Sequence, residues 1–162
     1  MSLRIWRFIT LVTAALAFTM ESAHLLELPQ KMQYDAQMYT AVNGTLYRYF
    51  AIVGGAYQIS SILAAAVLTF VVRKRKLSFK WSLGGAFFLL FAFVVWLGVV
   101  APVNREIATT LEAASTTVPD LWMRLRIRWE FGHVAGFVLQ LIGLYLLVVS
   151  VLVETPAETA ER

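Results

Sequence analysis

The sequence predicts an all-α integral membrane protein: a four-helix bundle with an additional interfacial helical segment between helices 3 and 4. Three observations predict it. Of 162 residues, 59% are hydrophobic and only 15% charged, where soluble domains carry about 25% charge. The mean hydropathy is +0.69. The apolar residues also collect in four long blocks between charged stretches, the pattern of repeated membrane crossing.

The first span is expected over residues 5–28, with Pro29 as its stop. Such a helix rises about 36 Å, enough for a ~30 Å hydrocarbon core. Arg4 and Arg7 ahead of an apolar run resemble a signal peptide, but the run is too long and no small-residue cleavage site follows, so retention as a span is expected. Spans two, three and four are expected over 46–72, 81–101 (before Pro102) and 131–153. All but the first contain glycines, which let helix backbones approach closely in lipid. Gly132-x-x-x-Gly136 is read as internal packing rather than dimerisation. The chain is thus one transmembrane domain, 1–153, with a polar tail, 154–162, expected to fray.

Orientation follows from the bases. Arg73-Lys74-Arg75-Lys76, with Lys80 behind it, is the densest positive cluster and is expected to stay in the cytoplasm. Both termini then face the cytoplasm, most simply across a plasma (inner) membrane, and the segments 29–45 and 102–130 face outward. Arg105, Arg124, Arg126 and Arg128 oppose this assignment by the same rule. Thr117-Val118-Pro119-Asp120 reads as a helix start. A helix running from there into span four would hold about 35 residues and reach about 52 Å. Its Trp122 and Trp129 would suit an interfacial belt.

Composition also excludes. The chain has no cysteine, which removes disulfides, zinc thiolates and iron–sulfur clusters. The net charge of +4 sits mostly in one loop and is a topology signal, not a nucleic-acid footprint. No P-loop, Rossmann fingerprint, nucleophile elbow or HExxH motif occurs.

Ionisable residues gather at one end. Glu21, His24 and Glu27 close span one. Arg126, Arg128, Glu130 and His133 open span four, and Asn104 and Arg105 follow span three. The only two histidines are in this set. Ionisable groups within a membrane are costly, so they suggest a functional site or an internal pair. Glu21-x-x-His24 and Glu130-x-x-His133 each put an acid and an imidazole on one helix face. Two such motifs resemble half of a di-iron carboxylate site, but spans two and three supply no carboxylates. A single ion held by His24, His133 and a carboxylate, Glu27 or Glu21, is the remaining metal reading. Axial haem ligation is disfavoured because the histidines sit near the membrane boundary. Without metal, a partly desolvated histidine can serve as a general base, while Arg126, Arg128 and Asn104 hold an anionic oxygen or the arginines snorkel to headgroups. Trp129, Tyr47 and Tyr49 would line an aromatic pocket or anchor the interface.

Pro102-Val103-Asn104-Arg105-Glu106-Ile107, followed after a spacer by Leu125-Arg126-Ile127-Arg128-Trp129-Glu130-x-x-His133, resembles the anthrone-oxygenase-like family of small four-helix membrane proteins, much of it filed as a domain of unknown function. His24-Leu25-Leu26-Glu27-Leu28-Pro29 resembles one bacterial branch of it. The resemblance implies oxidation of a small hydrophobic, aromatic molecule by dioxygen without an evident cofactor. Its implied site is Asn104, Arg126 or Arg128, Trp129 and His133, with His133 as the proton acceptor and arginine and asparagine holding the anion. Gly136 and Phe137 stand where related sequences often carry an arginine. The leading expectation is therefore an oxidoreductase with no cofactor, its partners being the lipid bilayer and a small hydrophobic substrate. The alternatives are a non-catalytic subunit docking a protein partner or a second copy of the chain, and a metal-dependent redox protein.

Overall fold

A computed structural model describes residues 2–47, 49–112 and 119–155, without side-chain detail for 107–121. Six α-helices account for nearly all of it: α1 Leu3–Lys31, α2 Ala36–Thr45, α3 Phe50–Val71, α4 Lys76–Val95, α5 Ala101–Glu112 and α6 Pro119–Leu152. Four helical stretches are long and apolar enough to cross a membrane, Leu3–Lys31, Phe50–Val71, Lys76–Glu106 and Trp122–Leu152. The protein is an integral membrane four-helix bundle.

The bundle is a closed square. α1 packs on α3, α3 on α4, α4 on α6, and α6 back on α1. Its outside is apolar, with Phe8, Ile52, Leu63, Phe70 and Phe87 all exposed. Its inside combines small and polar residues with a few buried aliphatics, Leu68, Val72, Leu89 and Leu147, since apolar burial alone gains little where lipid is equally apolar. The buried residues of α1 include Thr10, Ala14, Ala17, Glu21, His24 and Lys31, which fall on one alternating three–four seam. On α6 the matching seam runs Arg126, Trp129, His133, Gly136, Gln140, Gly143, Leu147 and Ser150. Such spacing keeps one face turned inward along a helix.

Glycine sets how closely α4 and α6 approach. A Cβ on Gly85 would lie 2.7 Å from Leu147 Cγ and 3.0 Å from the Gly143 carbonyl. Gly132 packs against Val99 and Val100, and Gly136 against the Glu21 carboxyl, so this glycine pair serves packing within the chain. Ser78, Ser82 and Ser150 bond one another between the same two helices, with oxygen separations of 2.6–2.9 Å. Thr10 donates to the Ala64 carbonyl and ties α1 to α3. At this end Glu154 takes ion pairs from Arg7 and from Arg75, the latter at 2.8 Å. The first turns of α1, the α3–α4 loop and the end of α6 therefore share one end of the bundle, called here the basic end.

Several boundaries differ from the sequence reading. Pro29 does not stop α1, which continues two residues to Lys31. The expected outer loop 29–45 contains α2, started by the Asp35 carboxylate accepting from the Met38 amide at 2.8 Å. Span two accordingly begins at Phe50, four residues late. Span three begins five residues early, at Lys76, and passes straight through Pro102. A π turn over Trp96–Val100 precedes that proline, and the Ala101 amide bonds to the Trp96 carbonyl. Pro102 has no N–H to return to the Gly98 carbonyl one turn back. The Arg128 guanidinium donates to that oxygen instead, at 3.3 Å. The expected interfacial segment is present as α5 and the first turns of α6, and α6 does run unbroken for 34 residues, about 51 Å. Glu154 is held by its two arginines rather than frayed. The capping role expected of Thr117 and the tail from residue 156 lie outside the described residues.

Candidate functional site

The end opposite the basic end contains a partly open cavity of about 360 Å³, bounded by α1, α2, α3, the α4–α5 segment and α6. Its walls are mostly apolar and aromatic, including Met20, Tyr47, Phe50, Phe93 and Trp96. The Tyr49 side chain is 65% exposed and turned away from it. Gly55 adds space, since a Cβ there would meet nothing within 4 Å.

Two imidazoles form its polar wall. His24 and His133 are both buried, and their ring centres lie 3.9 Å apart. The seams of α1 and α6 face each other, so residues from the first and last helices of the chain meet at one level. His133 Nδ1 is 2.8 Å from Glu21 Oε2. The tautomer follows the carboxyl: ionised, it accepts from Nδ1–H and leaves Nε2 basic; protonated, it donates to Nδ1 and the ring hydrogen sits on Nε2. Gly136 makes the pair feasible. A Cβ at that position would lie 3.0–3.1 Å from the Glu21 carboxyl. His24 is clamped by rings, stacked on Tyr47 and edge-on to Trp129. Its Nδ1 is buried without a hydrogen-bond partner.

The two Glu-x-x-His motifs do not pair internally. Glu21 reaches across to His133 on the other helix. Glu130 leaves its own His133 and accepts from the Tyr39 hydroxyl at 2.7 Å. Helical spacing put acid and imidazole on one face, but the azimuth of each helix decided which partner each met. Glu27 takes neither histidine; it lies 3.6 Å from Lys31 Nζ. Among the described residues, no three His, Asp or Glu side chains are grouped to hold a metal ion. Of the residues expected to hold an ion, Glu27 stands apart on Lys31, while Glu21, His133 and His24 adjoin one another.

Asn104 and Trp129 line the cavity together, Trp129 Nε1 donating to Asn104 Oδ1 at 2.7 Å. An indole N–H can only donate, so the asparagine presents its oxygen there and keeps its NH₂ for other acceptors. Trp129 is only 6% exposed and belongs to the core, not to a lipid-facing belt. The arginines stand apart. Arg126 is buried, donates to the Tyr34 carbonyl at 2.6 Å and lies over the Trp122 ring. Arg128 is exposed and occupied with Gly98. Neither lines the cavity.

Behind the wall is a layer that sequence reasoning missed. Lys31, 2% exposed, sits 3.9 Å from the centre of the Tyr47 ring and 4.7 Å from that of Trp129. Its charge is balanced by Glu27 and by Glu130 at 3.9 Å. Tyr39 completes the layer from α2. Burial, reinforced by the adjacent Glu130 carboxyl, pushes its phenol well above the usual tyrosine range. The available signals were Asp35 as a helix cap, which places Tyr39 and Asn43 one turn apart, and Lys31 two turns beyond His24 on the α1 seam.

Fold and site together define a class: a four-helix membrane protein with a small, partly open and mostly apolar cavity that has an imidazole pair in its wall. Beyond that class, comparison with family models, with curated proteins and with solved structures gives no match.

Proposed function

We propose that the chain is a membrane-embedded oxidoreductase of the oxygenase type, acting on a small hydrophobic, aromatic molecule with an acidic C–H or O–H group. The observation that carries this reading is the Glu21–His133 pair beside His24 in the wall of a partly open, mostly apolar cavity. An imidazole oriented by a carboxylate through Nδ1 is a general base at Nε2. The resemblance of the Asn104 and Trp129–His133 segments supplies the reaction class.

In this reading His133 removes the substrate proton. The resulting anion is held by the Asn104 amide and His24, because Arg126 and Arg128 are engaged elsewhere. Its electron pair reduces dioxygen. For an activated CH₂ group, one oxygen atom becomes the new carbonyl and the other leaves as water, so that R₂CH₂ and O₂ give R₂C=O and H₂O. The exposed loop Arg73–Lys76 at the basic end supports a plasma-membrane protein with both termini in the cytoplasm and the cavity toward the outer surface.

Oxygen uptake by the detergent-purified protein with anthrone as probe tests the reading. His133→Ala is expected to lower the rate at least about 100-fold, the usual contribution of a general base, while helicity and thermal unfolding stay near wild type. Uptake unchanged in His133→Ala, or absent in the wild type, overturns it. Stoichiometric co-purification of another protein with no such uptake would favour the docking alternative.

A further inference from the structure

The cavity extends inward from the imidazoles to the middle of the bundle, where two amides close it. Gln58 of α3 and Gln140 of α6 both line it and are 7% and 4% exposed. They meet across a diagonal of the helix square, Gln140 Nε2 donating to Gln58 Oε1 at 2.7 Å. Gln58 Nε2 donates in turn to the Leu89 carbonyl at 2.8 Å.

This chain of bonds has a fixed direction. A backbone carbonyl only accepts, so Gln58 must turn its nitrogen to Leu89 and its oxygen to Gln140. Gln140 must then give its nitrogen to Gln58. What remains is Gln140 Oε1, a buried acceptor without a partner. An unmet buried acceptor is destabilising, and the low-dielectric interior of a membrane supplies little to offset it. Gln140 lies two helical turns from His133 on the same seam, about 10 Å along α6.

We propose that the deep end of the cavity is a second recognition subsite, in which Gln140, oriented by Gln58, accepts a hydrogen bond from a ligand hydroxyl or N–H. The cavity therefore selects elongated, largely apolar molecules that carry a hydrogen-bond donor at the end away from the imidazoles. The subsite rests on the cavity being a ligand site, as in the function above, but not on any chemistry at His133.

Three matched probes test it by calorimetry on the full chain in nanodiscs, with empty nanodiscs as blank. These are 4,4′-dihydroxybiphenyl, 4-hydroxybiphenyl, and 4-hydroxy-4′-methoxybiphenyl, which replaces the far donor with an acceptor. The diol is expected to bind about tenfold more tightly than either other probe, the worth of one hydrogen bond. In Gln140→Met that ratio is expected to fall to about one, with the affinity for 4-hydroxybiphenyl retained. Gln58→Met, which frees the Gln140 amide to turn either end to the cavity, is expected to erase the discrimination between hydroxyl and methoxy. A merely structural amide pair would leave these ratios unmoved. Equal binding of all three probes by the wild type, or a diol preference that survives in Gln140→Met, overturns the subsite, as does failure of every probe to bind. A diol preference in a protein whose oxygen uptake ignores His133→Ala would leave the subsite standing and remove only the catalytic reading.

Discussion

The two ends of this bundle solve the same packing problem in opposite ways. At the basic end, α4 and α6 close on each other through Gly85 and Gly143 and are tied by Ser78, Ser82 and Ser150. The glycines there let the helices touch, with Leu89 and Leu147 packed over them. At the cavity end, the helices are held apart by rings and charges: His24 between Tyr47 and Trp129, Lys31 over Tyr47, Tyr39 on Glu130. The difference shows what apolar association cannot do in lipid. Close packing of small residues makes a stable joint but leaves no room. A cavity needs spacers, and spacers that are polar must satisfy one another. Stability should therefore reside in the glycine joint, and ligand selectivity in the spacers.

The sharpest way to break that division is to add the same side chain at both ends. Gly85→Leu forces a Cβ to 3.0 Å from a backbone carbonyl that cannot give way. It is expected to cost about 3 kcal/mol or more, the upper range for overpacked cores, or to prevent folding. Gly55→Leu enters open space and is expected to change stability by less than about 0.5 kcal/mol, while reducing affinity for 4,4′-dihydroxybiphenyl at least about tenfold by filling the cavity. Thermal unfolding in detergent and calorimetry separate the two. Equal destabilisation by both substitutions would mean that the cavity end is as tightly packed as the other.

A smaller effect is expected in the spacer layer. Tyr39→Phe removes a buried hydrogen bond to a carboxyl group and should cost about 2 kcal/mol near pH 8. The pH dependence has a definite sign. Because the folded phenol titrates above its unfolded value, its contribution is whole below the unfolded pKa of about 10 and is lost as pH rises beyond it. The wild type should therefore lose stability more steeply than Tyr39→Phe between about pH 10 and 12. Parallel curves would show that Tyr39 is not shielded from solvent.

The same contrast explains what could be read from sequence. Four spans follow from hydropathy alone, and glycine packing follows from lipid giving little drive to bury larger side chains. That His24 and His133 share an end follows from counting crossings. Pairing does not follow. Helical spacing fixes which residues share a face of α1 or α6, but the meeting of Glu21 with His133 depends on how each helix is rotated about its axis. Gln140 was legible in principle, since it continues the seam that holds His133 and Gly136, but an amide in an apolar run carries no charge to mark it. Prolines misled for one reason. Pro29 and Pro102 were read as stops, yet neither ends its helix. A missing N–H near a helix end costs little when a wider turn or a side chain compensates.

Pro102 gives the finest test of how the cavity end is held. Without an N–H at 102, the Gly98 carbonyl takes its hydrogen from Arg128, so a base expected to bind substrate instead repairs a helix. Arg128 is exposed and the bond is long, so Arg128→Met is expected to cost only about 0.5 kcal/mol. The repair can be isolated by restoring the backbone donor. Pro102→Ala supplies an N–H one turn beyond Gly98 and should make Arg128→Met nearly neutral, giving a coupling energy in the double-mutant cycle of about 0.5 kcal/mol. A coupling near zero with equal single costs would instead mean that Arg128 acts through solvent or lipid headgroups and that the π turn alone absorbs the proline.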